Sequence, residues 1–153
     1  MLNQTYKNVL VGVDGSDQGN LAYEKAIAVA KRNNGRVIVA HVIENRVYEM
    51  MGYSSLNDNL LDQETENGKE LLADCKKNAE SLGFSQVETV LTYGAVKEVM
   101  CKDLPEKYDV DLIMVGQSGL NAVERLMVGS VSSYIIRHAP CDVLVVHPEN
   151  VEK

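Results

Sequence analysis

The sequence predicts an α/β fold in which helices cover both faces of a parallel sheet. Five short runs of apolar, mostly β-branched residues have the pattern of strands that are buried on both sides. Helical patterns separate these runs, and the connections are short, as in chains that alternate strand and helix. The 153 residues contain no internal repeat or linker, so we predict a single domain over residues 1–153.

The predicted strands and helices alternate along the chain. The predicted strands are residues 7–13, 36–42, 86–92, 111–116 and Asp142–Val146. The predicted helices are residues 18–33, 60–82, 95–104 and Ser130–His138. Gly68 is a possible break in the second helix, and Pro105 is expected to end the third. The polar segment 43–59 has neither pattern, so we expect a mobile loop there.

Composition and charge exclude several classes of function. With 15 Lys and Arg against 22 Asp and Glu, the chain has a formal charge of −7 and lacks the positive field that nucleic-acid binding needs. No run approaches the roughly 18 apolar residues of a membrane span, and the first residues have no signal-peptide pattern. Three cysteines without a C-x-x-C pair and three dispersed histidines indicate incidental thiols and no structural metal site. We therefore expect a cytoplasmic protein without a nucleic-acid or membrane partner.

The end of the first strand carries a carboxylate. Asp14 and Ser16 follow this strand, at the edge of the sheet where doubly wound folds bind ligands. Asp14 can accept hydrogen bonds from a sugar hydroxyl or help to hold a metal ion. Alternatively, Asp14 or Ser16 caps the next helix by accepting from its unpaired amides. The segment by itself favours neither interpretation.

The end of the fourth strand leads through a loop with glycines into a helix. Gly116 ends the strand, and Gly129 and Ser130 open the helix. A helix N-terminus offers unpaired amides and partial positive charge to an anion such as phosphate, and glycine lets the backbone approach a ligand closely. The alternative is a turn followed by an ordinary serine cap. Neither of the two common phosphate-binding fingerprints is present.

With these residues the chain resembles the nucleotide-binding members of the universal stress protein family. The spacing Gly116-x2-Gly119-x9-Gly129-Ser130 matches that family's ATP pattern, G-2x-G-9x-G-[S/T]. Residues 11–16 and 129–146 are similar to its first strand and turn and to its last helix and strand. The resemblance spans nearly the whole chain and is weakest between about residues 46 and 86. It implies a Rossmann-like, adenine nucleotide alpha hydrolase-like sheet of five parallel strands in the order 3-2-1-4-5.

The resemblance also implies a ligand, a set of contacts and an assembly. ATP, or ADP or AMP, would bind with Mg²⁺ or Mn²⁺ between the first and fourth strands. Asp14 and Gly116 would lie at the ribose and the main chain of Val42 at the adenine edge, with the other contact residues around the phosphates. The last strand, Asp142–Val146, would pair with its copy in a homodimer. The residues implied to contact the nucleotide are Asp14, Val42, Gly116, Gly119, Gly129, Ser130 and Ser132.

The sequence departs from the family pattern in the glycine loop. Many members have a small residue and then His or Arg between the first two glycines, where this chain has Gln117 and Ser118. Arg125 is the only basic residue between Gly116 and Ser130. A bound triphosphate would therefore depend on a divalent cation and on the helix dipole, which supplies only ~0.3–1 kcal/mol per interaction.

No motif provides the groups that phosphoryl transfer needs. The sequence has no Lys or Arg clamp and no general base placed by a motif. We therefore expect an ATP-binding stress-response factor with slow or no hydrolysis, without catalytic residues and without metal ligands of its own. Two alternatives stay open, a slow ATP hydrolase and a nucleotide-free stress-response dimer that acts through protein partners.

Overall fold

The fold is a five-stranded parallel sheet with helices on both faces. The computed structural model describes residues 4–44, 50, 55–117 and 129–148. The strands, β1 to β5, are Asn8–Gly12, Arg36–Ile43, Val87–Tyr93, Leu112–Gly116 and Asp142–Val146. They lie in the order β3-β2-β1-β4-β5, and every pair is parallel. The predicted fold class and strand order are confirmed, and each strand end lies within one residue of its predicted position.

Alternate strand residues fill two hydrophobic cores, one on each face of the sheet. The helical segments are α1 (Asp17–Asn33), α2 (Ser55–Ser81), α3 (Val96–Glu98), a π turn (Val99–Asp103), α4 (Leu104–Tyr108) and α5 (Ser130–His138). Val9 and Val11 of β1 pack on the side of α1 and α2. Leu10 packs on the side of the π turn, α4 and α5, as the two-residue period of a strand requires. Within the described ranges, no helix is both long enough and apolar enough to cross a bilayer.

Helix α2 starts earlier than predicted and is not interrupted by its glycine. It begins at Ser55, so residues 55–59 of the expected mobile loop are helical, whereas 45–49 and 51–54 lie outside the described residues. The first turn was missed because Asp58 and Asn59 are exposed polar residues and add nothing to the apolar pattern that begins at Leu60. The helix also runs through Gly68, where a Cβ would lie only 2.7 Å from His41 Cδ2 and 2.9 Å from Leu91 Cδ1. Glycine at this position lets α2 lie close against the sheet.

The predicted end of a helix at Pro105 was also wrong. The helical path that starts at Val96 continues through Pro105 to Tyr108. Before the proline the chain widens into the π turn, and the Leu104 N–H bonds to the Val99 carbonyl. Proline removes one N–H and its ring crowds the preceding turn, and a π turn is one of the features that accommodate such an irregularity within a helix. The path ends instead at Asp109, whose φ of 52° is left-handed.

The amino ends of three strands are tied together by side chains. Asp111, just before β4, accepts hydrogen bonds from the backbone N–H groups of both Lys7 (2.8 Å) and Asn8 (3.0 Å). The Tyr6 hydroxyl donates to Asp142 Oδ2, at the start of β5, over 2.7 Å. These contacts fix the beginning of β1 against β4 and β5.

Candidate functional site

A cavity of about 500 Å³ lies at the carboxyl ends of β1 and β4. These two strands are neighbours in the sheet, but the helices that follow them, α1 and α5, pack on opposite faces. The divergence opens a crevice, as expected at the switch point of a doubly wound sheet. Six of the seven predicted contact residues line this cavity, and the seventh, Gly119, lies outside the described residues. The six are Asp14, Val42, Gly116, Gly129, Ser130 and Ser132.

At the end of β1 the two interpretations of the turn apply to different residues. Ser16 is the N-cap of α1, and its Oγ accepts from the Gly19 N–H at 3.2 Å. Asp14 does not cap the helix. Its Oδ1 accepts from the Ser16 N–H at 2.9 Å, across a turn in which Gly15 has a φ of +89°. The exposed Asp14 carboxylate is thereby held at the border of the cavity.

Gly116, the last residue of β4, is contacted from both neighbouring helices. A Cβ at this position would lie 2.7 Å from the Gln18 carbonyl oxygen, so the first turn of α1 can approach only because the side chain is absent. On the other side, the Ser132 hydroxyl donates to the Gly116 carbonyl over 3.1 Å. Ser132 therefore ties α5 to β4. Donation from this hydroxyl to a bound phosphate would require that bond to be broken.

The first residues of α5 line the cavity. Gly129 is the N-cap and supplies no side-chain hydrogen bond to the first turn of this nine-residue helix. Its φ of −60° is accessible to any residue, so glycine is not required there by backbone conformation. Ser130, the first helical residue, is exposed. Uncapped N–H groups and the positive end of the helix dipole favour an anion at this end of the cavity.

The floor of the cavity is apolar and includes residues that sequence patterns did not single out. Met100, from the π turn, passes beneath the end of β1, where a Cβ on Gly12 would be 3.3 Å from Met100 Cε. Ala40, Val96 and Ile135 complete this surface. The glycine at a strand end was a usable sign of close approach. Met100 could not be placed because no sequence pattern predicts the π turn.

The described lining of the cavity carries one charged side chain, that of Asp14, and neither Lys nor Arg. Among the described residues, no group of three or more His, Cys, Asp or Glu is arranged to hold a metal ion. Gln117 is buried and borders a separate, smaller cavity of about 170 Å³ together with Asp17 and Pro148. Burial raises the pKa of the thiols of Cys75 and Cys141 to about 11, so both stay protonated at neutral pH.

Comparison with known proteins identifies the family. The model of the universal stress protein family matches residues 5–147. The chain belongs to this family. A putative universal stress protein of Staphylococcus haemolyticus strain JCSC1435 is 44% identical over 147 residues, which cover 96% of this chain and 88% of the relative.

Solved structures of the family have the same fold. Universal stress protein UspA from Lactobacillus plantarum superposes with a TM-score of 0.80 at 28% identity, over 95% of this chain and all of that one (100%). A universal stress protein solved in complex with cAMP superposes with a TM-score of 0.70 at 26% identity, again over 95% of this chain and 100% of that one. At least one structural relative therefore holds an adenine nucleotide.

Proposed function

We propose that this protein binds an adenine nucleotide in the cavity between β1 and β4 and acts as a stress-response factor with slow or no hydrolysis. The observation that carries the proposal is the convergence of six predicted contact residues on one cavity. They come from separate parts of the chain, at the ends of β1, β2 and β4 and at the start of α5. The relative whose structure contains cAMP supports the class of ligand.

The cavity suits the three parts of a nucleotide. Its volume, about 500 Å³, lies in the roughly 300–1,000 Å³ range of small-molecule sites. The apolar floor around Met100 can cover a purine ring, and Val42 reaches the cavity because β2 extends past the last pair of β1, Gly12 with Ala40. Asp14 offers a carboxylate to ribose hydroxyl groups. The N-terminus of α5 offers backbone N–H groups to phosphate.

The charges of the protein and of the cavity lining make a divalent cation necessary for a bound triphosphate. The protein has a net charge of −7, and the described lining of the cavity has no basic side chain. A triphosphate would meet the helix dipole and the Asp14 carboxylate, which do not neutralise it. ATP is therefore expected to bind as its Mg²⁺ or Mn²⁺ complex, with the cation held chiefly by the phosphates. ADP and AMP should depend less on the cation.

The first test is the nucleotide content of the purified protein, followed by calorimetric titration with ATP, ADP, AMP and cAMP, each with and without Mg²⁺. Asp14→Asn keeps an acceptor for the Ser16 N–H and removes the charge, so it should weaken binding about tenfold through the lost charge-assisted hydrogen bond. Glu80→Gln, an exposed change of equal charge in the last turn of α2, is the control.

Binding by neither assay at millimolar nucleotide would refute the proposal. Phosphate release at a steady rate well above background, lost in Asp14→Asn, would favour the hydrolase.

The proposal extends to assembly and location. Among the described strands, β5 pairs with β4 alone, and its Leu144 is an exposed large apolar residue. We propose that this edge pairs with β5 of a second copy, since an open edge otherwise invites unwanted pairing. Light scattering measures the molar mass in solution. We expect a dimer for the wild type and a monomer for Leu144→Lys, because the lysine would place a charge in the interface. The cytoplasmic location expected from cysteine usage stays a prediction.

A further inference from the structure

His41 connects the nucleotide cavity with helix α2, although it does not line the cavity itself. It lies on β2, half-buried, and its Nδ1 is 2.8 Å from the Val13 carbonyl oxygen. A carbonyl oxygen can only accept a hydrogen bond, so Nδ1 must carry a proton. The contact therefore assigns the imidazole proton to Nδ1 and makes His41 a donor to the backbone.

This hydrogen bond completes a pair of bonds that hold Val13 to β2. The Val13 N–H donates to the Ala40 carbonyl at 2.9 Å, and the Val13 carbonyl accepts from His41. The same carbonyl belongs to the peptide unit that leads into Asp14. Fixing that unit fixes the place of the Asp14 Cα and leaves the φ of Asp14 as the one backbone torsion that still directs its side chain. The Asp14 carboxylate then reaches the Ser16 N–H and the edge of the cavity.

The far edge of the imidazole lies against the backbone of α2. A Cβ on Gly68 would be 2.7 Å from His41 Cδ2 and 3.4 Å from Nε2, so the ring occupies the space that any side chain at 68 would need. The ring is thus confined between the Val13 carbonyl on one edge and α2 on the other. Glycine costs about 1 kcal/mol in a helix interior, so helix formation does not explain Gly68. The close contact with the His41 ring does.

We propose that His41 is a positioning residue for the nucleotide site: seated against Gly68, its imidazole holds the Val13 carbonyl and thereby sets the place of the Asp14 carboxylate. Helix α2 then acts on the cavity through His41 without contacting a ligand. The effect on affinity rests on the proposed function. The positioning itself does not, so the two can be tested separately.

The first experiment needs no nucleotide. NMR of the imidazole nitrogens should find the proton on Nδ1 of His41. In His41→Leu the amide resonances of Ser16 and Gly19 should shift, because both amides depend on the turn that Asp14 begins. In His41→Asn they should return toward the wild-type positions, since the asparagine amide can donate from nearly the place of Nδ1. A proton on Nε2 alone, or unchanged Ser16 and Gly19 resonances in His41→Leu, would overturn the proposal.

The second experiment measures nucleotide affinity against stability. His41→Leu should weaken ATP binding by up to about tenfold, the effect expected of Asp14→Asn, because it releases the same carboxylate. His41→Asn should recover most of the affinity. Gly68→Ala should also weaken binding by displacing the ring. Ala79→Gly, a destabilising change at a buried position farther along α2, should lower the melting temperature and leave affinity unchanged.

The outcomes separate the two proposals. Equal affinity of the wild type and His41→Leu, or equal loss in His41→Asn and His41→Leu, would reject a positioning role. A wild type that binds no nucleotide would refute the proposed function, and the resonances of Ser16 and Gly19 would then decide the positioning role alone.

Discussion

The two ends of the sheet use the same kind of residue for different purposes. Asp111 precedes β4 at the amino ends of the strands, and Asp14 follows β1 at the carboxyl ends. Both carboxylate oxygens of Asp111 accept backbone hydrogen bonds, from Asn8 and from Lys7. Within the described residues, the Asp14 carboxylate accepts one, from Ser16, and it borders the cavity.

The number of backbone hydrogen bonds already accepted, more than the position next to a strand, distinguishes the structural carboxylate of Asp111 from the candidate ligand contact Asp14. At the amino ends, side chains such as Tyr6 and Asp111 are bonded to other parts of the fold. At the carboxyl ends, Asp14 and the first amides of α5 keep capacity for hydrogen bonds. Substitutions at the amino ends should therefore lower stability, whereas substitutions at the carboxyl ends should lower affinity.

The largest expected effect is a loss of stability at the amino ends of the strands. Asp111→Ala leaves two backbone N–H groups without their acceptor, and each such loss costs about 1–3 kcal/mol, toward the lower figure where water can reach the group. We expect the free energy of unfolding to fall by about 3 kcal/mol in urea denaturation, with nucleotide affinity unchanged. Asp111→Asn keeps one acceptor oxygen and should lose about half as much. A large loss of nucleotide affinity at unchanged stability would contradict the structural role of Asp111.

The next prediction concerns an exception at the carboxyl end. Gly116 borders the cavity but also has the Gln18 carbonyl 2.7 Å from the place of a Cβ. Gly116→Ala must push α1 away from β4, at a cost of about 1–3 kcal/mol for overpacking. Both thermal stability and nucleotide affinity should fall. An unchanged melting temperature would mean that α1 and β4 approach each other less closely than described.

Gly129→Ala is the matched change at a glycine whose backbone conformation does not require glycine. Its φ of −60° suits alanine, but alanine is a poorer N-cap than glycine, so the free energy of unfolding should fall by no more than about 1 kcal/mol. A methyl group at the N-cap would keep phosphate from the α5 amides, and we expect ATP affinity to fall about tenfold by calorimetry, or about 1.4 kcal/mol. Full affinity in this variant would show that the phosphate does not bind at the start of α5.

The smallest effect is a pH dependence at the amino end. The hydrogen bond that Tyr6 donates to Asp142 raises the pKa of the Tyr6 hydroxyl above its ordinary value of 10.0. The folded state then keeps this proton at a pH where the unfolded state loses it. The contribution is present below pH 10 and is lost as the pH rises through the raised pKa. Because Tyr6 is near solvent, the difference between wild type and Tyr6→Phe in urea denaturation should decline only slightly from pH 9 to 11.

Sequence patterns predicted the elements better than their contacts. Periodicity is a local property, so the strands could be bounded to within a residue and Asp14 and Gly116 assigned to strand ends. The rule that ligands bind at switch points then indicated the edge of the sheet at which the cavity lies. Gly68 and Pro105 were interpreted as helix breaks because glycine and proline both destabilise a helix when no tertiary contacts are considered. Packing against His41 in one case and a π turn in the other decided the outcome.

Residues near one another along the chain were enough to predict the alternation of strands and helices, the parallel sheet and the resemblance to the family. The tertiary structure was needed to show that Asp111 accepts two backbone hydrogen bonds and Asp14 one. It was also needed to explain the glycine of α2 at its contact with His41 and the place of Met100 in the floor of the cavity. Those features join residues from different elements. Their energies depend on distances that only the packed sheet and helices define.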